Sequence, residues 1–292
     1  MFGNLPFTAS AALVGHWTFE SGEELVDRIG NFPDLILKGD SLVAEGKLDV
    51  NGSGTSATGW AVSDSGSGAY TGPTIKNKTL VVWTVLQGLN DVAKAGSLLT
   101  LDRVGSDHFD GIIFGERQNN RWMNGSSGFG RTADFAPGFE ETDIGNLIQL
   151  AITYEHLDGG RLRVTGYRNA EQMGQYETGN PSQWDSGDAE ILFGLRHGGL
   201  GGGPGGLDAL IEEAQLYREA LNANEILELY APPLSLSAIR VDKKIRIEWT
   251  DATAGLEAAE TLDGPWSPVA DAVSPFEQDL AAAAKRYFRL RK

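Results

Sequence analysis

The segment 110–135, DGIIFGERQNNRWMNGSSGFGRTADF, concentrates the side chains best suited to holding a ligand. Trp122 offers a flat apolar ring on which a sugar can stack, and Arg117, Asn119, Asn120, Arg121 and Asn124 surround it with directional donors and acceptors. Binding sites are built from such mixtures, an aromatic supplying contact area and a few polar groups fixing orientation. A second stretch, YETGNPSQW at 176–184, brings Trp184 as a wall for the same face. The competing reading is a polar turn whose Trp and Met cover the rim of the fold.

Signals for catalysis are sparser. His16, His108, His156 and His197 stand in separate segments without the spacing of a metalloprotease helix, and no Gly-x-Ser-x-Gly elbow presents a nucleophile. His16, beside Trp17 at the start of a strand, reads as a packed or edge imidazole. The glycine-rich run HGGLGGGPGG at 197–206 lacks the Lys and Ser or Thr of a phosphate-binding loop and reads as a rim loop. The chain has no cysteine, which removes disulfides, thiolate chemistry and Cys-ligated zinc together.

The elements that must position these residues read as strands. From His16 the chain runs through short apolar stretches of β-branched and aromatic residues, HWTFE, DLILKG, KTLVVWTVLQ, GSLLTLDR, DGIIFGE, NLIQLAITYEH, RLRVTGYRN, AEILFGLR and ALIEEAQLYR. Gly, Asn, Asp and Ser separate them, which is the pattern of a sandwich or jelly roll. One helix is expected after Leu221, with Asn222 as N-cap and Glu225 closing a capping box, stopped by Ala231-Pro232-Pro233. That stop is also the expected domain boundary, between residues 13–230 and 234–292. In the second part Ile245, Ile247 and Trp249, then Tyr287, Phe288 and Leu290, suggest four to six strands around a Trp; Ala281 to Ala284 is uninformative.

Charge narrows the partners. The 292 residues carry a formal net charge of -16, and residues 231–292 hold nine acidic and nine basic side chains, so the excess acidity lies entirely in the first 230. Such a field repels nucleic acid and anionic membranes and leaves neutral glycans or cations as easier partners. No run of eighteen uncharged apolar residues spans a membrane. The start GNLPFTASAALVG has no basic leader and does not read as a signal peptide.

GHWTFESGEELVDRIGNFPDLILKG from Gly15 and GLDALIEEAQLYREALNANEILELY from Gly206 resemble the opening and closing segments of the laminin G-like, concanavalin A-like jelly rolls of bacterial secreted proteins. The resemblance covers about residues 13 to 230 and implies that the first and last strands lie together. The tail, with AETLDGPWSPVADAVSPFEQDL and YFRLRK, resembles small fibronectin type III-like modules. The expected fold is therefore all-β, a jelly-roll sandwich followed by a small fibronectin-like sandwich.

The resemblance also implies a structural calcium ion near the meeting of the terminal strands. Glu20, Asp27 and Glu212 are the corresponding carboxylates, with Glu213 and Asp34 nearby; Glu212 and Glu213 face opposite ways if the strand is regular. The Glu-x-Asp-x-x-Glu strand of retaining concanavalin-like glucanases is absent, since GFEETDIG at 138–145 carries its acids at other spacings. The functional expectation is a non-catalytic, calcium-stabilised carbohydrate-binding or adhesion module of an extracellular or cell-surface protein, bound to a glycan or a surface protein. A structural spacer and a divergent polysaccharide hydrolase or lyase are the alternatives.

Overall fold

The computed structural model describes residues 12–53, 56–63, 69–89, 96–106, 108–198, 206–230, 236–249, 254–262, 264–279 and 286–291. Gly199–Gly205 of the glycine-rich run, the Ala231-Pro232-Pro233 stop and Ala281–Ala284 lie outside them. The chain divides into two compact units, Met1–Leu227 and Glu228–Lys292. Among the described residues no helix is long and apolar enough to cross a membrane.

Among the described residues the regular structure of the first unit is antiparallel strand with one short 3₁₀ turn, and a helix begins at its end. Its strands are β1 (Leu13–Trp17), β2 (Leu35–Gly39), β3 (Leu42–Ala44), β4 (Lys47–Ser53), β5 (Ser56–Ser63), β6 (Lys78–Leu86) and β7 (Gly96–Arg103). They continue with β8 (Phe109–Phe114), β9 (Trp122–Ser126), β10 (Leu147–Leu157), β11 (Arg161–Arg168), β12 (Glu171–Gly179), β13 (Ala189–Phe193) and β14 (Ala209–Tyr217). One continuous path, β12-β11-β10-β6-β14-β4-β5-β13-β7-β8-β9, joins them, with β1 on β14, β2 on β5 and β3 on β4. The path curls at β4, where the register slips between Asn51 and Gly52, so that β10 to β12 come to face β8 and β9 across a jelly-roll-like sandwich.

Hydrophobic pattern explains the layers. β6, β7 and β8 are buried almost throughout, as continuous apolar runs require, whereas β14 keeps Ala209, Ile211, Ala214 and Leu216 inside and leaves polar positions half exposed. Trp17, Phe19, Phe32, Tyr70 and Phe193 form an aromatic centre, with Phe32 and Tyr70 centroids 4.7 Å apart and Trp17 5.6 Å from Phe193. The terminal strands pair as the resemblance implied, Leu13 opposite Tyr217 and Trp17 opposite Ala214.

Helix α1 (Ala223–Leu229) starts on the expected cap: Asn222 Oδ1 accepts from the amides of Asn224 and Glu225, and Glu225 returns a carboxylate oxygen to the Asn222 amide at 2.8 Å. Among its described residues the second unit has two three-stranded antiparallel sheets. The first is β15 (Leu236–Val241), β16 (Lys244–Trp249) and β19 (Phe276–Asp279); the second is β18 (Ser267–Pro268), β17 (Gly255–Ala259) and β20 (Tyr287–Arg291). Ile247, Trp249, Ala254 and Leu256 are its core.

Candidate functional site

The two tryptophans singled out from the sequence are interior. Trp122 opens β9 and is 2% exposed, packed 4.4 Å from Phe114 at a tilt of 35°, with its indole N–H donated to Glu141 at 3.1 Å. Trp184 is fully buried, and the Lys78 ammonium lies 4.4 Å from its ring. Neither ring has a face for a sugar. Asn124 is buried too, its Oδ1 hydrogen-bonded by the Tyr176 hydroxyl, so WMNGS is an inward strand rather than a ligand loop.

The rest of the segment does lie at the surface. The β8–β9 turn holds Arg117 and Asn119 exposed and Asn120 and Arg121 half-buried. It is tied to a strap, residues 132–146, by an antiparallel bridge between Arg121 and Glu140 and by Arg121 donating to the Pro137 carbonyl at 3.1 Å. The strap then reaches the opposite sheet, where Pro137 bridges Gly174 of β12. Phe135 nests against Gly166 of β11; a Cβ there would stand 2.5 Å from its ring, so the missing side chain is what admits the strap.

This surface carries an aromatic that sequence reasoning passed over. Phe129 ends the 3₁₀ turn Ser127–Phe129 and is 47% exposed, with a left-handed φ of 59°, following Gly128 at 53°. Left-handed backbone under a bulky side chain costs on the order of 1–3 kcal/mol and is retained where the surroundings impose it. Arg117 lies 5.4 Å from the Phe129 ring and is ion-paired to Asp134 at 3.3 Å. Phe139 of the strap is 39% exposed over Arg168, and Ile144 is exposed nearby in sequence. The only available signal was the doublet of glycines around Phe129.

Under the 3₁₀ turn sits a buried charge cluster. Asp110 of β8 is fully buried and holds two cations, Arg131 through Nε at 2.9 Å and Lys78 of β6 at 3.1 Å. Arg131 also donates to the Phe109 carbonyl at 2.8 Å, its amide bonds Ser126 Oγ at 2.8 Å, and its carbonyl lies 2.9 Å from the Tyr176 hydroxyl. Burial holds the Lys78 ammonium below the usual lysine range, against the opposing pull of Asp110. Burial pushes the hydroxyls of Tyr154 and Tyr176 well up. Glu141 anchors the strap in the same manner, fully buried and gripped by Arg168 at 2.7 and 3.0 Å.

No family profile and no curated protein matches the chain. Solved structures do. The receptor-binding domain of botulinum neurotoxin type G superposes with a TM-score of 0.53 at 13% identity, covering 84% of this chain and 63% of that one. The binding domain of botulinum neurotoxin DC, in complex with SialylT, gives 0.51 at 9% identity over 86% and 66%. A Trypanosoma rangeli sialidase gives 0.50 at 15% identity over 75% and 32%. The chain thus spans less than two thirds of the length of these relatives. What they share with it is the fold.

At the terminal-strand junction of that fold the three carboxylates implied as calcium ligands do different work. Asp27 is buried and saturated: Oδ1 accepts from the amides of His16 and Ile29, and Oδ2 from those of Asn31 and Phe32, at 2.8 to 3.1 Å. With two amide donors on each oxygen it staples the 27–32 turn to β1 and has little left for a cation. Glu212 pairs with Lys47 at 3.5 Å, and Glu20 is exposed. A bulge between Ile211 and Glu213 also cancels the expected alternation, leaving both Glu212 and Glu213 half-exposed while Ile211 and Ala214 are buried. Glu213 bonds His16 at 2.8 Å. Among the described residues no three His, Asp or Glu side chains gather to hold a metal, and Glu20, Asp27 and Glu212 do not fit a shared calcium ion.

Proposed function

We propose that the first unit is a non-catalytic glycan-binding domain of a secreted or surface protein, with Phe129 as its stacking platform and Arg117, Asn119 and Asp134 as polar neighbours. The observation that carries the reading is Phe129 itself, a solvent-facing ring on left-handed backbone, flanked by an ion-paired arginine. An exposed aromatic beside fixed polar groups is the composition that sugar rings select, since one face is apolar and the rim is hydroxylated. Fold likeness supports it at the same coarse level, because one similar structure is described as a toxin receptor-binding domain and another as bound to SialylT. The charge of the chain favours neutral ligands over polyanions. The second unit is read as a small fibronectin-like sandwich accompanying this domain.

The test is retention of a panel of immobilised neutral and sialylated oligosaccharides by the wild-type chain and by Phe129→Ala. Selective retention by the wild type, weakened about tenfold in the variant, is the expected result, a change equivalent to roughly 1.4 kcal/mol. Retention of no oligosaccharide, or equal retention by both proteins, overturns the reading. The exposed Phe139 and Ile144 support a second reading, adhesion to a protein surface, because their apolar area extends beyond a single sugar stack.

A further inference from the structure

The cluster beneath Phe129 holds two cations against one carboxylate, and two histidines stand at its edge. His156 Nε2 is 3.1 Å from the Ser182 carbonyl, the same oxygen that faces Lys78 Nζ at 3.5 Å. His108 packs against Trp184 at a tilt of 43° with centroids 5.6 Å apart, and the same indole lies 4.4 Å from the Lys78 ammonium. Both imidazoles are partly buried, and burial first, then neighbouring cations, keeps them below the usual histidine range. The charged groups facing His108 are Arg131, Asp110, Arg103 and Lys78; those facing His156 are Lys78, Asp110 and Lys76, with the Asn77 side chain holding the His156 amide. Across the sandwich the neighbouring hydroxyls of Tyr154 and Tyr176 stay un-ionised.

Each proton taken up at these histidines adds a positive charge to a set in which Asp110 is the sole anion in contact with Lys78 and Arg131 among the described residues. The imbalance is relieved by whichever cation can leave at least cost. Lys78 belongs to β6 and His156 to β10, and both are held by strand pairing; His108 lies just before β8, its carbonyl bonded by the Arg103 amide at 2.9 Å. Of the two cations on Asp110, Arg131 is the one carried by a loop, and that loop presents Phe129 two residues earlier.

We propose that the loop carrying Phe129 is an acid-released element, in which protonation of His108 and His156 expels Arg131 from Asp110 and frees residues 127–132. Its consequence, ligand capture at neutral pH and release below about pH 6.5, rests on Phe129 being the ligand platform; the release itself does not. The sign is fixed by linkage: imidazoles depressed in the folded state bind fewer protons than in the open one, so acid favours opening as pH falls through and below about 6.5.

Amide hydrogen exchange on the full chain, with no ligand present, tests it at about pH 7.5 and about pH 5 after correction for intrinsic rates. The expected result is loss of protection at 127–132 and 182–184 in acid, with β10 and β14 unchanged, and no such loss in His108→Gln/His156→Gln. Arg131→Met is a second check, expected to lower protection of 127–132 at both pH values and to erase the difference between them. Equal protection of the wild type at both pH values overturns the proposal. So does a response that survives in the double histidine variant, or one spread evenly over β10 and β14, which is global unfolding. Because no ligand enters the experiment, failure here is separate from failure of the glycan reading.

Discussion

Removing the anion and removing one cation from the buried cluster should have very different costs. Asp110→Asn leaves Lys78 and Arg131 facing each other with no carboxylate in contact, at sites 0% and 4% exposed. Breaking a buried ion pair in this sense costs about 3–5 kcal/mol, because the charges left behind are uncompensated. In a unit of this size that lowers the melting temperature by about 6–20 °C. Lys78→Met instead deletes the surplus cation, keeps the apolar stem between Tyr154 and Trp184, and leaves Asp110 bonded to Arg131 at 2.9 Å. Its expected cost is within about 1.5 kcal/mol of zero, in either direction. A pH profile separates the two explanations further. The buried Lys78 binds its proton less tightly than in the unfolded chain, so wild-type stability rises with pH from the depressed folded value up to about 10.5, and Lys78→Met flattens that rise. Urea unfolding followed by tryptophan fluorescence and by far-UV circular dichroism reads both effects. A Lys78→Met variant as damaged as Asp110→Asn, or a wild-type profile without the rise, refutes the reasoning.

Asp27→Ala strands four backbone amides that the carboxylate now accepts, and should cost roughly 3 kcal/mol in urea unfolding, with no change on adding calcium; stabilisation by calcium that this variant abolishes would restore Asp27 as a metal ligand. Gly166→Ala places a methyl 2.5 Å from the Phe135 ring and should cost about 1–3 kcal/mol, with hydrogen exchange rising in the 132–141 strap before the rest of the sheet. At the alkaline limit, Tyr70 and Tyr217 are each pushed by burial up to about 12, so the unfolded state ionises first and stability falls as pH climbs from about 10 toward 12; phenolate absorbance at 295 nm should lag behind that of free tyrosine.

The sheet is largely legible in the sequence because its central strands advertise themselves. β6 and β10 are long, apolar and β-branched, and burial on both faces leaves nothing else for such runs to become. The Asn222 and Glu225 pair was equally plain, since a capping box is local and its donors lie within three residues. What misled was composition standing in for position. WMNGS looks polar enough for a loop, yet Asn124 is satisfied by Tyr176, 52 residues away, and no local pattern announces that partner. Trp122 and Trp184 are rich in contact area, which suits a core as well as a site. The Lys78, Asp110 and Arg131 triad was invisible for the same reason, being assembled from β6, β8 and a loop. Asp27 was more nearly legible: an acidic residue before Arg-Ile-Gly-Asn is a turn acceptor by local chemistry, and its amide donors at positions 29, 31 and 32 follow directly.

The antiparallel pairing of β1 with β14 has a mechanical consequence. Leu13 sits opposite Tyr217, so the two ends of the domain leave the sheet at the same corner. Tension applied between them would load the cross-strand bonds one after another from that corner, as in a zipper, instead of straining all of them at once. The first obstacle such a tear meets is the pair of contacts that Asn31 and Asp27 make to β1, at the Val14 carbonyl and the His16 amide. Under load the domain would give way progressively, with the turn at 27–32 as its first stop and Trp17, the residue by which β1 enters the aromatic core, as the next.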